Sequence, residues 1–293
     1  MEIKENDIII ENTRLYNLCS SIISFHAPSM IEEKTPEELY KIACRGGQGS
    51  KIAVKRLKEI YPGHKMTDET IHKVVKDYKS VTNYQRCGPI EFWDVSEVTK
   101  TNSLFQGFLY FNEDLSRWDV SSVTNMHSMF CHCPKFNSDI SEWNVSSVTD
   151  MCHMFSNCTH FNSDISQWSV GSVTDMHGMF CYCPKFNSDL SQWDVSSVNN
   201  MDSMFYNCSH FNSDISQWSV GSVTDMHGMF CYCPKFNSDL SQWDVSSVTD
   251  MDSMFYCCEM FNSDISKWSV SSVTTMEHMF RLSFNSEFKP KFN

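Results

Sequence analysis

Between residues 91 and 285 the apolar positions recur with a period of 25. Eight tryptophans mark it: Trp93, Trp118, Trp143, Trp168, Trp193, Trp218, Trp243 and Trp268. Phe105, Phe130, Phe155, Phe180, Phe205, Phe230, Phe255 and Phe280 keep the same register. Within a unit, Met126, Met129, Phe130 and Cys133 stand at i, i+3, i+4 and i+7, one face of a short helix. Ser122 or Thr124 can cap its start and Pro134 ends it. Phe136 and Ile140 share a parity, so a short strand over 136–141 points them inward and Asn137, Asp139 and Ser141 outward. A fixed period of this length means stacked coils, each burying its apolar face only against its neighbours. Strands stack at ~4.8 Å and helices at ~8–10 Å. The mismatch predicts a curved solenoid, strands on the concave side and helical turns on the convex side. If the turns tighten to 3₁₀ pieces the stack is straighter. The tryptophan and phenylalanine rows (Trp118, Trp143, Trp168, Trp193, Trp218, Trp243; Phe130, Phe155, Phe180, Phe205, Phe230) are assigned to the core, where stacked aromatics bury large areas.

The first 90 residues have a different rhythm. Leu15, Leu18, Cys19, Ile22 and Ile23 make one helical face. Thr35-Pro36-Glu37-Glu38 is a helix start, Lys51 to Ile60 reads as helical, and Thr67 caps a helix through Tyr78. Charge divides at the same place: residues 1–90 hold 14 Lys+Arg and 12 Asp+Glu, residues 91–293 hold 9 and 24. Two domains are therefore expected. Residues 1–90 form a helical domain that caps the solenoid or acts as a separate module. Residues 91–293 form eight repeats with a degenerate C-terminal cap, where Phe284-Asn285 arrives two residues early and Lys289, Pro290 and Lys291 discourage edge pairing.

The units V-T-x-M-x-x-M-F-x-x-C-x-x-F-N-S-D-I-S-x-W resemble the 25–26-residue repeats of BspA-like leucine-rich repeat proteins of bacterial and mycoplasma surfaces, also found in protists and large DNA viruses. The resemblance covers about residues 90–285. It implies an α/β repeat: a leucine-rich-repeat-like right-handed solenoid with a parallel sheet of short strands and short helical turns, preceded by a small all-α domain. It also implies a binding or adhesive role, and it carries over no catalytic residue.

Composition narrows the function. The chain has 293 residues, a hydrophobic fraction of 41% and a net charge of −13. That acidity argues against nucleic-acid partners and anionic membranes, which select a basic face. No apolar run reaches the ~20 residues of a membrane span. The stretch Ile8 to Phe25 is broken by Glu11, Asn12, Arg14 and Asn17, a poor signal peptide. A cytoplasmic location is expected, with surface or virion display as the alternative.

Four features are candidate chemistry. The cysteine ladder Cys133, Cys158, Cys183, Cys208, Cys233 and Cys258 reads as small buried corner residues. Disulfides between rungs, or a zinc set from Cys181, Cys183, Cys158 and His160, are the alternatives. Asp114, Asp139, Asp164, Asp189, Asp214, Asp239 and Asp264 form an acidic row. Its members accept backbone N–H groups in turns, face a basic protein partner, or bridge calcium. The neighbouring Asn row bonds backbone. His127, His177 and His227 read as surface rungs, and Gly46 to Lys51 lacks phosphate-loop spacing and reads as a helix–helix turn. The expected function is a non-enzymatic scaffold that binds a protein through the acidic Ser/Asn/Asp-rich face. An adhesin for host protein or glycan, and a zinc- or calcium-binding repeat protein, are the alternatives. No catalytic residue, metal ligand or cofactor is assigned.

Overall fold

The computed structural model describes residues 64–78 and 87–283, with scattered positions between 34 and 60. The chain divides into two compact units, Met1–Gly63 and His64–Asn293. In the first, the described positions 38, 39, 42, 52, 53, 55, 56, 59 and 60 are helical. The Thr35 start is capped reciprocally: the Thr35 N–H donates to Glu38 Oε2 at 3.0 Å and the Glu38 N–H to Thr35 Oγ1 at 3.3 Å. The Leu15–Ile23 face, the Gly46–Lys51 turn and the C-terminal segment from residue 284 lie outside the described residues.

The second unit is a stack of 25-residue coils, and the local structure of each coil corrects the sequence expectation twice. The segment after Met126 is not a helix. The N–H groups of Met129, Cys131 and Cys133 close turns on the carbonyls of Met126, Ser128 and Phe130 at 3.0–3.1 Å. Those of Met126, Ser128, Phe130 and His132 leave the coil for the carbonyls of Asp150, Cys152, Met154 and Ser156 at 2.7–2.9 Å. An α-helix needs those donors for its own i−4 carbonyls; here the next coil takes them. Ser128 (φ 54°) and His132 (φ 59°) sit in the left-handed region, which turns the chain in a way a helix cannot. The i, i+3 apolar spacing survives because each turn closes from residue i to i+3, joining Met126 to Met129 and Phe130 to Cys133.

The second correction concerns the sheet. No extended strand forms over 136–141. Parallel pairing among the described residues consists of isolated bridges: one joins Lys65 to Asp94, and a series with one rung per coil runs Lys100, Asn125, Asp150, Asp175, Asn200, Asp225, Asp250 and Thr275, just ahead of Thr101 in the first unit and of the first Met in each later one.

The core rows are as expected. Every phenylalanine from Phe130 to Phe230 is 0% exposed and every tryptophan from Trp118 to Trp243 is 3–4% exposed. Phe130, Phe155, Phe180, Phe205 and Phe230 stack from coil to coil at 5.7–5.8 Å. Each also lies on the second phenylalanine of its own coil, as Phe130 does on Phe136 at 3.8 Å. Polar atoms that the stack would bury are paired between coils. The Trp168 Nε1–H donates to the Ile140 carbonyl at 3.0 Å, and the Asn162 N–H to Asn137 Oδ1 at 2.7 Å. The Thr149 N–H and Oγ1–H both reach the Thr124 carbonyl. Ladder cysteines are buried thiols: Cys158 Sγ donates to the Phe130 carbonyl at 3.0 Å, and the pattern repeats through Cys258.

Residues 64–78, grouped by sequence with the first 90, pack with the repeats. Helix α1 (Asp68–Val75) is capped by Thr67 and buries Ile71, Val74 and Val75 in the same core as Val98, Phe105 and Phe111. It ends before Tyr78. Its Asp68 does what a preceding coil would do. Elsewhere each threonine N–H donates to the carbonyl 25 residues back. At the first coil Asp68 accepts instead, from the Thr99 N–H (2.7 Å), the Thr99 hydroxyl (2.6 Å) and the Lys100 N–H (3.0 Å). Burial pushes the Asp68 carboxyl up, but these bonds outweigh it and hold it below its ordinary value.

Candidate functional site: two polar stripes along the coils

The predicted acidic row is a continuous exposed stripe. Asp114, Asp139, Asp164, Asp189, Asp214, Asp239 and Asp264 are all exposed. Each Oδ1 accepts the N–H of the serine two residues on at 2.9–3.0 Å. This is a turn role, and it engages one carboxylate oxygen of each residue, Oδ1. Backbone bonds from Ser141, Ser166, Ser216 and Ser241 hold Asp139, Asp164, Asp214 and Asp239 below the ordinary carboxylate range. These four therefore stay charged despite their like-charged neighbours. Asp119, Asp194 and Asp244 repeat the motif one turn later with Ser121, Ser196 and Ser246. Near the C-terminal end, Asn237, Asp239, Gln242, Asn262, Asp264 and Lys267 line a shallow groove of ≈ 450 Å³.

A second stripe was read from the sequence only in part, as the histidine rungs His127, His177 and His227, which are half-buried. Asn125, Asp150, Asp175, Asn200, Asp225 and Asp250 occupy the bridge row. Each Oδ1 accepts the N–H two residues on, at 2.8–3.0 Å. The residues so placed are His127, Cys152, His177, Asp202, His227 and Asp252. The sequence signal was present: this rung position holds His, Cys or Asp in every unit from the second to the seventh. His177 Nδ1 stands 3.0 Å from Asp202 Oδ2, and this bond raises the His177 pKa. His153 lies beside His177, ring centroids 4.5 Å apart and nearly perpendicular; burial and the two neighbouring histidines lower its pKa. Burial, with Asp175 and Asp150 adding to it, pushes the Cys152 thiol up to about 12.

Metal-ligating residues do not assemble where the sequence placed them. Cys158 and Cys183 are buried and bonded to carbonyls, and His160 Nδ1 is 2.7 Å from the Pro134 carbonyl. Among the described residues, the His/Cys/Asp/Glu groups whose ligand atoms lie within 4.8 Å of one another are Cys152–His153–His177 and Asp252–Glu277–His278. The acidic row contributes no such group among the described residues.

A family described as mycoplasma proteins of unknown function, DUF285, matches residues 71–191 and 174–290. Among solved structures, the chain is similar to the crystal structure of a leucine-rich repeat protein from Eubacterium ventriosum, at 15% identity and a TM-score of 0.34. The match covers 68% of this chain and 44% of that one, so the chain spans under half the length of that protein. No curated protein matches the chain. Among the described residues no helix is long and apolar enough to cross a membrane.

Proposed function

The chain belongs to the DUF285 family of mycoplasma proteins of unknown function, the BspA-like type of 25-residue repeat, and from that premise we propose that it is a non-enzymatic scaffold that binds a basic protein through its aspartate stripe. One observation carries the reading. Seven exposed carboxylates recur at every coil, each pinned by a serine N–H. Pinning removes the rotamer entropy a free side chain would lose on binding. A regular line of fixed charge suits an extended basic segment and steers its approach. The location that goes with this reading is the cytoplasm, where buried thiols such as the ladder cysteines stay reduced.

The test keeps the turn and removes the charge. Asn144 makes the same bonds to Ser146 that aspartate makes elsewhere, so Asp164→Asn, Asp189→Asn and Asp214→Asn together preserve the coil. Full-length chain and triple variant are used as baits on lysate of the source cells. A basic protein retained by the first and lost by the second is expected. Equal retention of every captured protein by the two baits contradicts the reading.

A further inference from the structure

On the second stripe, away from the aspartate row, we propose that Cys152, His153 and His177 form a binding site for a divalent transition-metal ion of the zinc class. Three observations support it. The ligand atoms of these residues lie within 4.8 Å of one another. A tetrahedral ion with bonds of ~2.0–2.3 Å needs its ligands about 3.3–3.8 Å apart, so side-chain rotation of about 1 Å closes the site. Asp202, one coil further, holds His177 Nδ1 at 3.0 Å. A carboxylate behind a histidine fixes the tautomer that leaves Nε2 free to ligate, the usual outer partner of a metal-bound imidazole. Room is made for the third ligand: a Cβ at residue 178 would come within 2.3 Å of His153 Nδ1, so Gly178 is what admits the ring.

The donor set selects the ion. One thiolate and two imidazoles suit zinc or cobalt, whereas calcium and magnesium take oxygen ligands. Three protein ligands leave the fourth position to water or an outside group. Binding releases the Cys152 thiol proton to solvent, and the bound dication offsets the negative charge of Asp150, Asp175 and Asp202 around it. The later coils show which residues the repeat itself can do without. At the register of Cys152–His153 the coils two and four further on carry Asp202–Ser203 and Asp252–Ser253, and the coils between them carry His177–Gly178 and His227–Gly228, so the cysteine–histidine pair occurs once among them.

The repeat supplies its own control. Cys152→Asp with His153→Ser copies a sequence that folds in the later coils. Purified full-length protein, stripped with chelator and kept reduced, is titrated with cobalt(II) and followed by visible absorption. One equivalent is expected to bind with the strong d–d bands of four-coordinate cobalt and a thiolate charge-transfer band. Both signals should vanish in the double variant, and Asp202→Asn should weaken binding about 10- to 100-fold. Cobalt held only by the oxygen-rich Asp252–Glu277–His278 group would give no thiolate band and would overturn the proposal. So would a thiolate band that persists in the double variant, since another cysteine would then be the ligand.

Discussion

At the scale of single residues, the coil depends on backbone conformations that most side chains avoid. Among the described residues thirteen non-glycine residues have φ between 53° and 62°, Ser103, Ser128 and Ser203 among them. The left-handed region costs a residue bearing a Cβ roughly 1 kcal/mol, and the bonds between coils hold it there. Part of this was legible. Gly178 and Gly228 stand at the Ser128 register, and Gly107, Asn157 and Asn207 at the His132 register, all residues that tolerate positive φ. The serine, histidine and tyrosine at the equivalent rungs masked the pattern. Ser103→Gly is expected to raise unfolding stability by about 0.5–1 kcal/mol in denaturant titrations; a loss would mean that position is not strained. Glu91 is a second residue-scale case. It is 9% exposed, and burial pushes its carboxyl up to about 7. A carboxyl raised on folding favours the protonated form. Its contribution is therefore full at low pH and falls as pH rises from the ordinary value of 4.5 through about 7. Glu91→Gln should stabilise by up to about 3 kcal/mol at pH 8 and much less at pH 5, as read by melting curves.

At the scale of elements, the rows were legible and the backbone was not. Tryptophan, phenylalanine and methionine rows show the inside of the coil by period alone, because burial is a property of side chains. Whether Met126 to Cys133 winds as a helix depends on where its N–H groups go, and their acceptors lie 24 residues away on Asp150 to Ser156. A single unit read by itself cannot reveal them. The same applies to helix α1. Its Thr67 cap was legible, but the role of Asp68 follows from Thr99, 31 residues on. Asp68→Ala leaves three donors without this acceptor and should cost about 1–3 kcal/mol, with Asp68→Asn losing less because one oxygen remains. Because the Asp68 carboxyl is held low, its contribution is present at neutral pH and is lost as pH falls through its depressed value. Equal stability of Asp68→Ala and the unaltered chain in urea would remove the capping role.

At the scale of the whole molecule, stability and recognition both come from repetition. Residues 161–210 and 211–260 differ only at 199, 200, 207, 209 and 210 against their partners, so a change that is tolerated in one coil is tested again in the next. Stability of such an array is close to a sum over neighbouring coils, and charge adds in the same way. The acidic row was legible as a row, since every aspartate sits at one register. Of the second stripe only His127, His177 and His227 were legible as rungs; the companion row of Asn125 to Asp250, and Cys152 and His153 beside it, became visible when the bridges aligned the coils.

The central claim is that the aspartate stripe recognises a basic partner by fixed charge. The measurement that tests it most directly is the affinity of the full chain for its captured partner across salt, from about 0.05 M to about 0.5 M, where screening shortens from over 10 Å to a few ångströms. A loss of tenfold or more is expected, with a shallower salt dependence for the Asp164→Asn, Asp189→Asn, Asp214→Asn variant. An affinity that is flat in salt, or the same slope in both proteins, would contradict it.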